Sequence, residues 1–143
     1  GIGLYGVSAS GQRGLQNVST LKTTILQIQQ VPAGDSIGYS RKSYVNRDSR
    51  IAIIPIGYAD GLDRHFSNGG GEVVIRGKRC PIIGNICMDM CMLDETGLDV
   101  QVGETVTIFG ENPRVEELAE ILGTIPYEIL SSIPHRIERI IIK

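Results

Sequence analysis

A chain of 143 residues, 41% of them apolar and with a formal net charge of −2, can bury one core but lacks the basic surplus that phosphate neutralisation requires. Nucleic acid is therefore not expected as a partner. No apolar run is long enough for a membrane helix, no charged-then-apolar leader opens the chain, and Cys80, Cys87 and Cys91 form an odd set that argues for free thiols in a reducing, cytoplasmic setting.

The chain opens on Gly1-Ile2-Gly3-Leu4-Tyr5-Gly6 without a Met, as expected of a piece of a longer chain. Residues 7–17, rich in Gly, Ser and Gln, predict a surface loop. Residues 20–31 are β-branched and alternate imperfectly, so a strand is expected and a helix is the alternative. Pro32-Ala33-Gly34-Asp35 is a turn by composition, and residues 36–40 should form a short strand ending near Tyr39. Beyond it, Arg41, Lys42, Arg47 and Arg50 crowd around Tyr39 and Tyr44 in the sequence. Nearby cations favour a phenolate, and an unperturbed tyrosine pKa of about 10 is too high for a base at neutral pH. Tyr39 is either an acid–base group or part of an exposed loop with solvated charges.

Residues 51–54 are an apolar strand that stops at Pro55, where Ile56-Gly57-Tyr58-Ala59-Asp60-Gly61 takes over. The glycines allow a tight turn that holds Tyr58 at the mouth of a site, or else Tyr58 caps a core. Residues 62–71, with Arg64, His65, Asn68 and three consecutive glycines, read as a mobile loop. Residues 72–75 and 79–83 predict a hairpin around Arg76-Gly77-Lys78. Cys87 and Cys91 lack further ligands at zinc spacing, so residues 84–92 read as a strand of soft side chains bent at Gly84 and Asn85, with no metal. Val102-Gly103-Glu104 is a turn before a strand at 105–109. Val115, Leu118, Ala119 and Leu122 have helical spacing, with Gly123 as C-cap. A further helical turn at 127–132 and an alternating terminal strand at 136–142 complete the reading. The expected fold is mainly β: one domain over residues 1–143, a small barrel or sandwich of short antiparallel strands with one peripheral helix near 114–122.

Pro55-Ile56-Gly57-Tyr58-Ala59-Asp60-Gly61 followed by Gly84-Asn85-Ile86-Cys87-Met88-Asp89 resembles the C-terminal β-domain of alanine racemases. Gly1 to Gly6, Gly34 to Tyr39 and Val102-Gly103-Glu104 are similar to further segments of that family, so the resemblance covers nearly the whole chain. It implies a racemase that holds pyridoxal phosphate on a lysine of a (β/α)₈ barrel and moves the α-proton of alanine with two bases. By the same resemblance, Tyr39 is the base supplied to the partner subunit's site in a head-to-tail homodimer, and the chain alone is inactive. Tyr58 corresponds to the tyrosine that narrows the entrance, Met88 to the residue whose N–H holds the substrate carboxylate, and Gly1 and Ile2 to main-chain donors near the cofactor phosphate. The family's Ser-Tyr-Arg is matched by Pro134-His135-Arg136, so His135 stands where a phosphate-binding phenol is expected; it donates to phosphate or merely caps the last strand. A racemase for serine or a broader amino-acid set, and a non-catalytic β-module for binding or assembly, are the alternatives.

Overall fold

The computed structural model describes residues 2–7, 15–38, 41 and 43–143, with Ile2 described by its main chain only. After a 3₁₀ turn at Ile2–Tyr5, the strands run in chain order as β1 (Leu21–Thr24), β2 (Gln27–Val31), β3 (Ser36–Ile37), β4 (Ser43–Tyr44), β5 (Ser49–Ile54), β6 (Glu72–Ile75), β7 (Lys78–Ile83), β8 (Cys91–Asp94) and β9 (Thr105–Phe109). Two helices follow, α1 (Val115–Leu122) and α2 (Pro126–Ser132).

Seven strands form one antiparallel sheet in the order β1-β9-β6-β7-β8-β5-β2, and β3 pairs with β4 apart from it. The sheet curls because its edge strands, β1 and β2, are consecutive in the chain and only Ile25 and Leu26 separate them. Main-chain bonds fix that corner: Ile25 N–H donates to Glu104 O at 3.0 Å and Leu26 N–H to Ile53 O at 2.9 Å. Residues 20–31 are thus two strands and not one. Ile25 is 1% exposed and Leu26 55% exposed, so burial of one and release of the other breaks the alternation at the bend. On the far side β7 makes the second turn of the sheet, pairing with β6 through Lys78–Pro81 and with β8 through Ile82 and Ile83.

The β6–β7 hairpin closes on Arg76 and Gly77, both with positive φ (51° and 75°), as a two-residue turn between twisted strands requires. Inside the curl, Ala52, Ile54, Val73, Ile75, Ile82, Leu93, Val106 and Ile108 make the core, and Val115, Leu118 and Ala119 of α1 close one side of it. Ile51 points the other way, into a small cluster with Ile37 and Val45, so β5 is covered on both faces. That anchors the strand leading into the candidate site. Among the described residues no helix is long and apolar enough to cross a membrane.

Helix α1 occupies the predicted span, with Gly123 at φ 67° as its C-cap, and α2 extends the expected turn by one residue at Pro126. The terminal strand expected at 136–142 is not formed. Arg139 instead donates to the carbonyls of Ile133, Pro134 and Ile137 at 3.0, 3.1 and 2.8 Å, folding the segment after α2 onto itself. Ile140, Ile141 and Ile142 are left 77–91% exposed.

Candidate active site

Strand β5 delivers Ile54 and Ile56 into the core, and the chain then folds into a 3₁₀ turn at Tyr58–Asp60. Gly57 is the close-approach point: a Cβ there would lie 2.2 Å from Cys87 O and 2.4 Å from Met88 O. Its φ of −145° is extended, so the requirement is space and not torsion. That closeness lets Tyr58 N–H donate to Cys87 O and Ala59 N–H to Met88 O, both at 3.0 Å. Asp60 Oδ2 accepts from Gly57 N–H at 3.0 Å, and Gly61, at φ 94°, reverses the chain. Tyr58 keeps 48% of its surface.

The facing loop, residues 84–90, is held from below by Ile86, which is 2% exposed. Ile86 N–H donates to Ser67 Oγ at 3.0 Å, Asn68 N–H to Gly84 O at 2.9 Å and Asn68 Nδ2 to Asn85 Oδ1 at 2.9 Å. Residues 62–71 are therefore a bracket and not the mobile loop expected from their glycines: Phe66 is 3% exposed, and Gly71 N–H donates to Phe66 O at 3.0 Å. Likewise residues 84–90 form a loop, and only Cys91 and Met92 of the expected strand are extended, as the start of β8. Met88 is 54% exposed; its carbonyl is taken by Ala59, while among the described residues its N–H has no acceptor.

Tyr58, Arg64 and residues 85–90 line an open hollow of about 570 Å³. A free main-chain N–H, a phenol and a guanidinium around one hollow suit a small ligand with a carboxylate. Cys87, half-buried, also lines it, whereas burial pushes the Cys80 and Cys91 thiols up to about 12 each, with neighbouring carboxylates adding at Cys80.

Tyr39 and Gly1 lie outside the described residues, as does the side chain of Ile2. Gly38, immediately before Tyr39, lines an apolar hollow with Cys87 and Met90 of the Met88 loop. Of the four cations expected near Tyr39, Lys42 lies outside the described residues together with Tyr39 itself. Arg47 turns to Asp94 at 3.3 Å and Arg50 to Glu95 at 2.9 Å, because those carboxylates flank the paired end of β8. His135 is exposed at the turn after α2, with no hydrogen-bond partner among the described residues. The structure thus brings Tyr58 and Met88 together, and it is Arg136, the residue after His135, that reaches the acids near them. Arg136 Nη2 lies 2.6 Å from Asp60 Oδ1 and 3.3 Å from Asp89 Oδ1. The sequence alone gives these three no role; an acid two residues after Tyr58 and another directly after Met88 were the available signal, but their distant cation has no periodic relation to them.

The family profile described as "Alanine racemase, C-terminal domain" matches residues 18–141. Alanine racemase 1 of Clostridium acetobutylicum is 42% identical to the chain, in an alignment covering 100% of this chain and 39% of that protein. The alanine racemase of Rickettsia bellii is 43% identical over 98% of this chain and 35% of its own length. Among solved structures, alanine racemase from Bartonella henselae with covalently bound pyridoxal phosphate superposes with a TM-score of 0.92 at 39% identity, covering 98% of this chain and 40% of that one. Alanine racemase from Bacillus anthracis with bound L-Ala-P gives 0.88 at 36% identity, covering 96% and 37%. The chain spans about two fifths of the relatives it matches.

Proposed function

The chain belongs to the alanine racemase C-terminal-domain family, and we propose that it is the C-terminal part of a cytoplasmic enzyme that interconverts L- and D-alanine with pyridoxal phosphate. The observation that carries this reading is the pairing of Tyr58 and Met88 around one hollow, locked by two main-chain hydrogen bonds across Gly57. Met88 N–H binds the substrate carboxylate, a neutral donor for an anion whose charge is partly desolvated on binding. Tyr58 walls the hollow, restricting it to a small amino acid and excluding water beside it. Tyr39 is the base that takes or returns the α-proton on one face, and it serves the site of a partner subunit in a head-to-tail homodimer. The relatives' bound ligands support the substrate and cofactor class.

The residues present fit a cofactor with an anionic phosphate. The N–H groups opening the 3₁₀ turn at Ile2–Tyr5 precede any acceptor inside it, and His135 is an exposed donor free of partners among the described residues. Gly1, Ile2 and His135 would hold that phosphate, while the remainder of the cofactor is bound by chain outside these residues. Pyridoxal phosphate supplies the electron sink that makes an amino acid's α-proton removable. This domain supplies none, so by itself it should not racemise alanine.

The test is racemisation by the parent enzyme, followed by chiral chromatography from pure L- and pure D-alanine with serine run alongside. Approach to the same mixture from both alanine enantiomers is expected. A cofactor-loaded parent that leaves the alanine α-proton unexchanged overturns the reading.

A further inference from the structure

We propose that Arg136 is a positioning residue for the substrate wall, its guanidinium setting the separation of the Tyr58 turn and the Met88 loop by bridging Asp60 and Asp89. The inference rests on the reading of Tyr58 and Met88 as that wall. One nitrogen, Nη2, serves both carboxylates, at 2.6 Å to Asp60 Oδ1 and 3.3 Å to Asp89 Oδ1. Asp60 is two residues from Tyr58 and Asp89 one residue from Met88. The main-chain bonds across Gly57 hold the two segments at one end only. At the other end they present like charges, which repel unless a cation lies between them.

Two features distinguish this bridge from a casual surface pair. The Asp60 side chain is only 8% exposed, and its second oxygen already holds Gly57 N–H, so a shift in Asp60 passes directly to the turn carrying Tyr58. Arg136 is also presented by a shaped support: Arg139 gathers the carbonyls of Ile133, Pro134 and Ile137. The end of α2 abuts the turn as well, with Ser132 O and Ile133 Cδ1 each 2.9 Å from where a Gly61 Cβ would stand. Arg136 and Asp89 are each about half exposed, so screening keeps their pairing weak in stability and the clamp's effect belongs in substrate fit.

The test measures KM and kcat for alanine in the cofactor-loaded parent enzyme. Arg136→Met should raise KM about tenfold with kcat changed less than about threefold, the split expected when ground-state binding is lost. Arg136→Lys should recover most of the loss, because a point charge still separates the two acids. Asp89→Asn, a near-isosteric change at a side chain 58% exposed, should raise KM about threefold with folding intact. About 1 M salt, which shortens the screening length to about 3 Å, should raise the wild-type KM more than that of Arg136→Met. An unmoved KM in Arg136→Met and Asp89→Asn, with at most a lower Tm, overturns the clamp. If Arg136→Met does not fold, Asp89→Asn decides alone by the same criterion. Tyr58→Ala, measured alongside, separates the two claims: a raised KM there with unmoved clamp variants overturns the clamp only, and an unmoved KM in all of them overturns the wall.

Discussion

At the scale of single residues, the site depends on what Gly57 lacks. Two carbonyl oxygens occupy the space a methyl would need, and both are main chain, so neither yields by rotating a side chain. Gly57→Ala should therefore cost about 1–3 kcal/mol of stability, the range for forced overpacking. It should also raise the KM for alanine in the parent enzyme, because relief requires the Met88 loop to withdraw; thermal melts with steady-state kinetics check both. A second residue is marked by burial. Glu95 has no exposed surface; Arg50 holds Oε1 at 2.9 Å, and among the described residues Oε2 has no hydrogen-bond partner. Burial raises its carboxyl above the ordinary 4.5 even against the pull of Arg50. An acid raised in the folded state binds its proton more tightly there than when unfolded. Its contribution to stability is whole below 4.5 and is lost as pH rises through the folded value. The Tm advantage of the wild type over Glu95→Gln should therefore shrink as pH climbs from about 4.5 toward neutrality. An advantage that grows with pH would show that the Arg50 pairing dominates instead. The glycines around Tyr58 and Met88 were legible, while the roles of those two residues came from the family resemblance. The destinations of Arg47 and Arg50 were not legible, since partners 47 and 45 residues away leave no local pattern.

At the scale of elements, the sequence reported each piece as far as its own periodicity reached. Helix α1 was legible in full: its apolar spacing and Gly123 both agree. Its docking joins an apolar face to a polar strap, with Leu118 6% exposed in the core and Glu117 paired bidentately to Arg79 of β7 at 2.7 and 2.8 Å. Leu118→Ala should cost about 2–5 kcal/mol, read by chemical denaturation, because α1 cannot slide to fill the cavity while that strap holds it. Glu117→Gln should cost under about 1 kcal/mol by the same measurement, since both partners of the pair are partly exposed. The hairpin was also plain from Arg76-Gly77-Lys78, although Lys78 joins β7 and leaves Arg76 and Gly77 as the turn. The strand break at Ile25 and Leu26 was not. It is imposed by closure of the sheet, a long-range demand that composition over residues 20–31 does not encode. Residues 136–142 mix charged residues with isoleucines as a strand could, yet no partner strand is paired with them among the described residues, and a pattern without a partner does not make one.

At the scale of the whole molecule, a curled antiparallel sheet with two helices on one side leaves the Tyr58 and Met88 loops together at one mouth, and the family resemblance had already pointed to that fold. It could not show how the two loops are joined. The stitch at Gly57 and the bridge at Arg136 are properties of three-dimensional proximity. In the proposed enzyme this mouth would be part of a site whose cofactor is held mainly by chain outside these residues, with Tyr39 as base, Tyr58 as wall and Met88 as carboxylate donor. The claim at the centre is that the base is Tyr39, and it makes an asymmetric demand on the chemistry. With one base on each face, losing one cripples abstraction from a single enantiomer and spares the other. The direct measurement is Cα deuterium exchange from L-alanine and from D-alanine, in separate reactions, by the parent enzyme carrying Tyr39→Phe. A loss at least about a hundredfold greater for one enantiomer than for the other is the expected result, in line with the contribution of a single acid–base group. Equal losses for both enantiomers, or none for either, would contradict it.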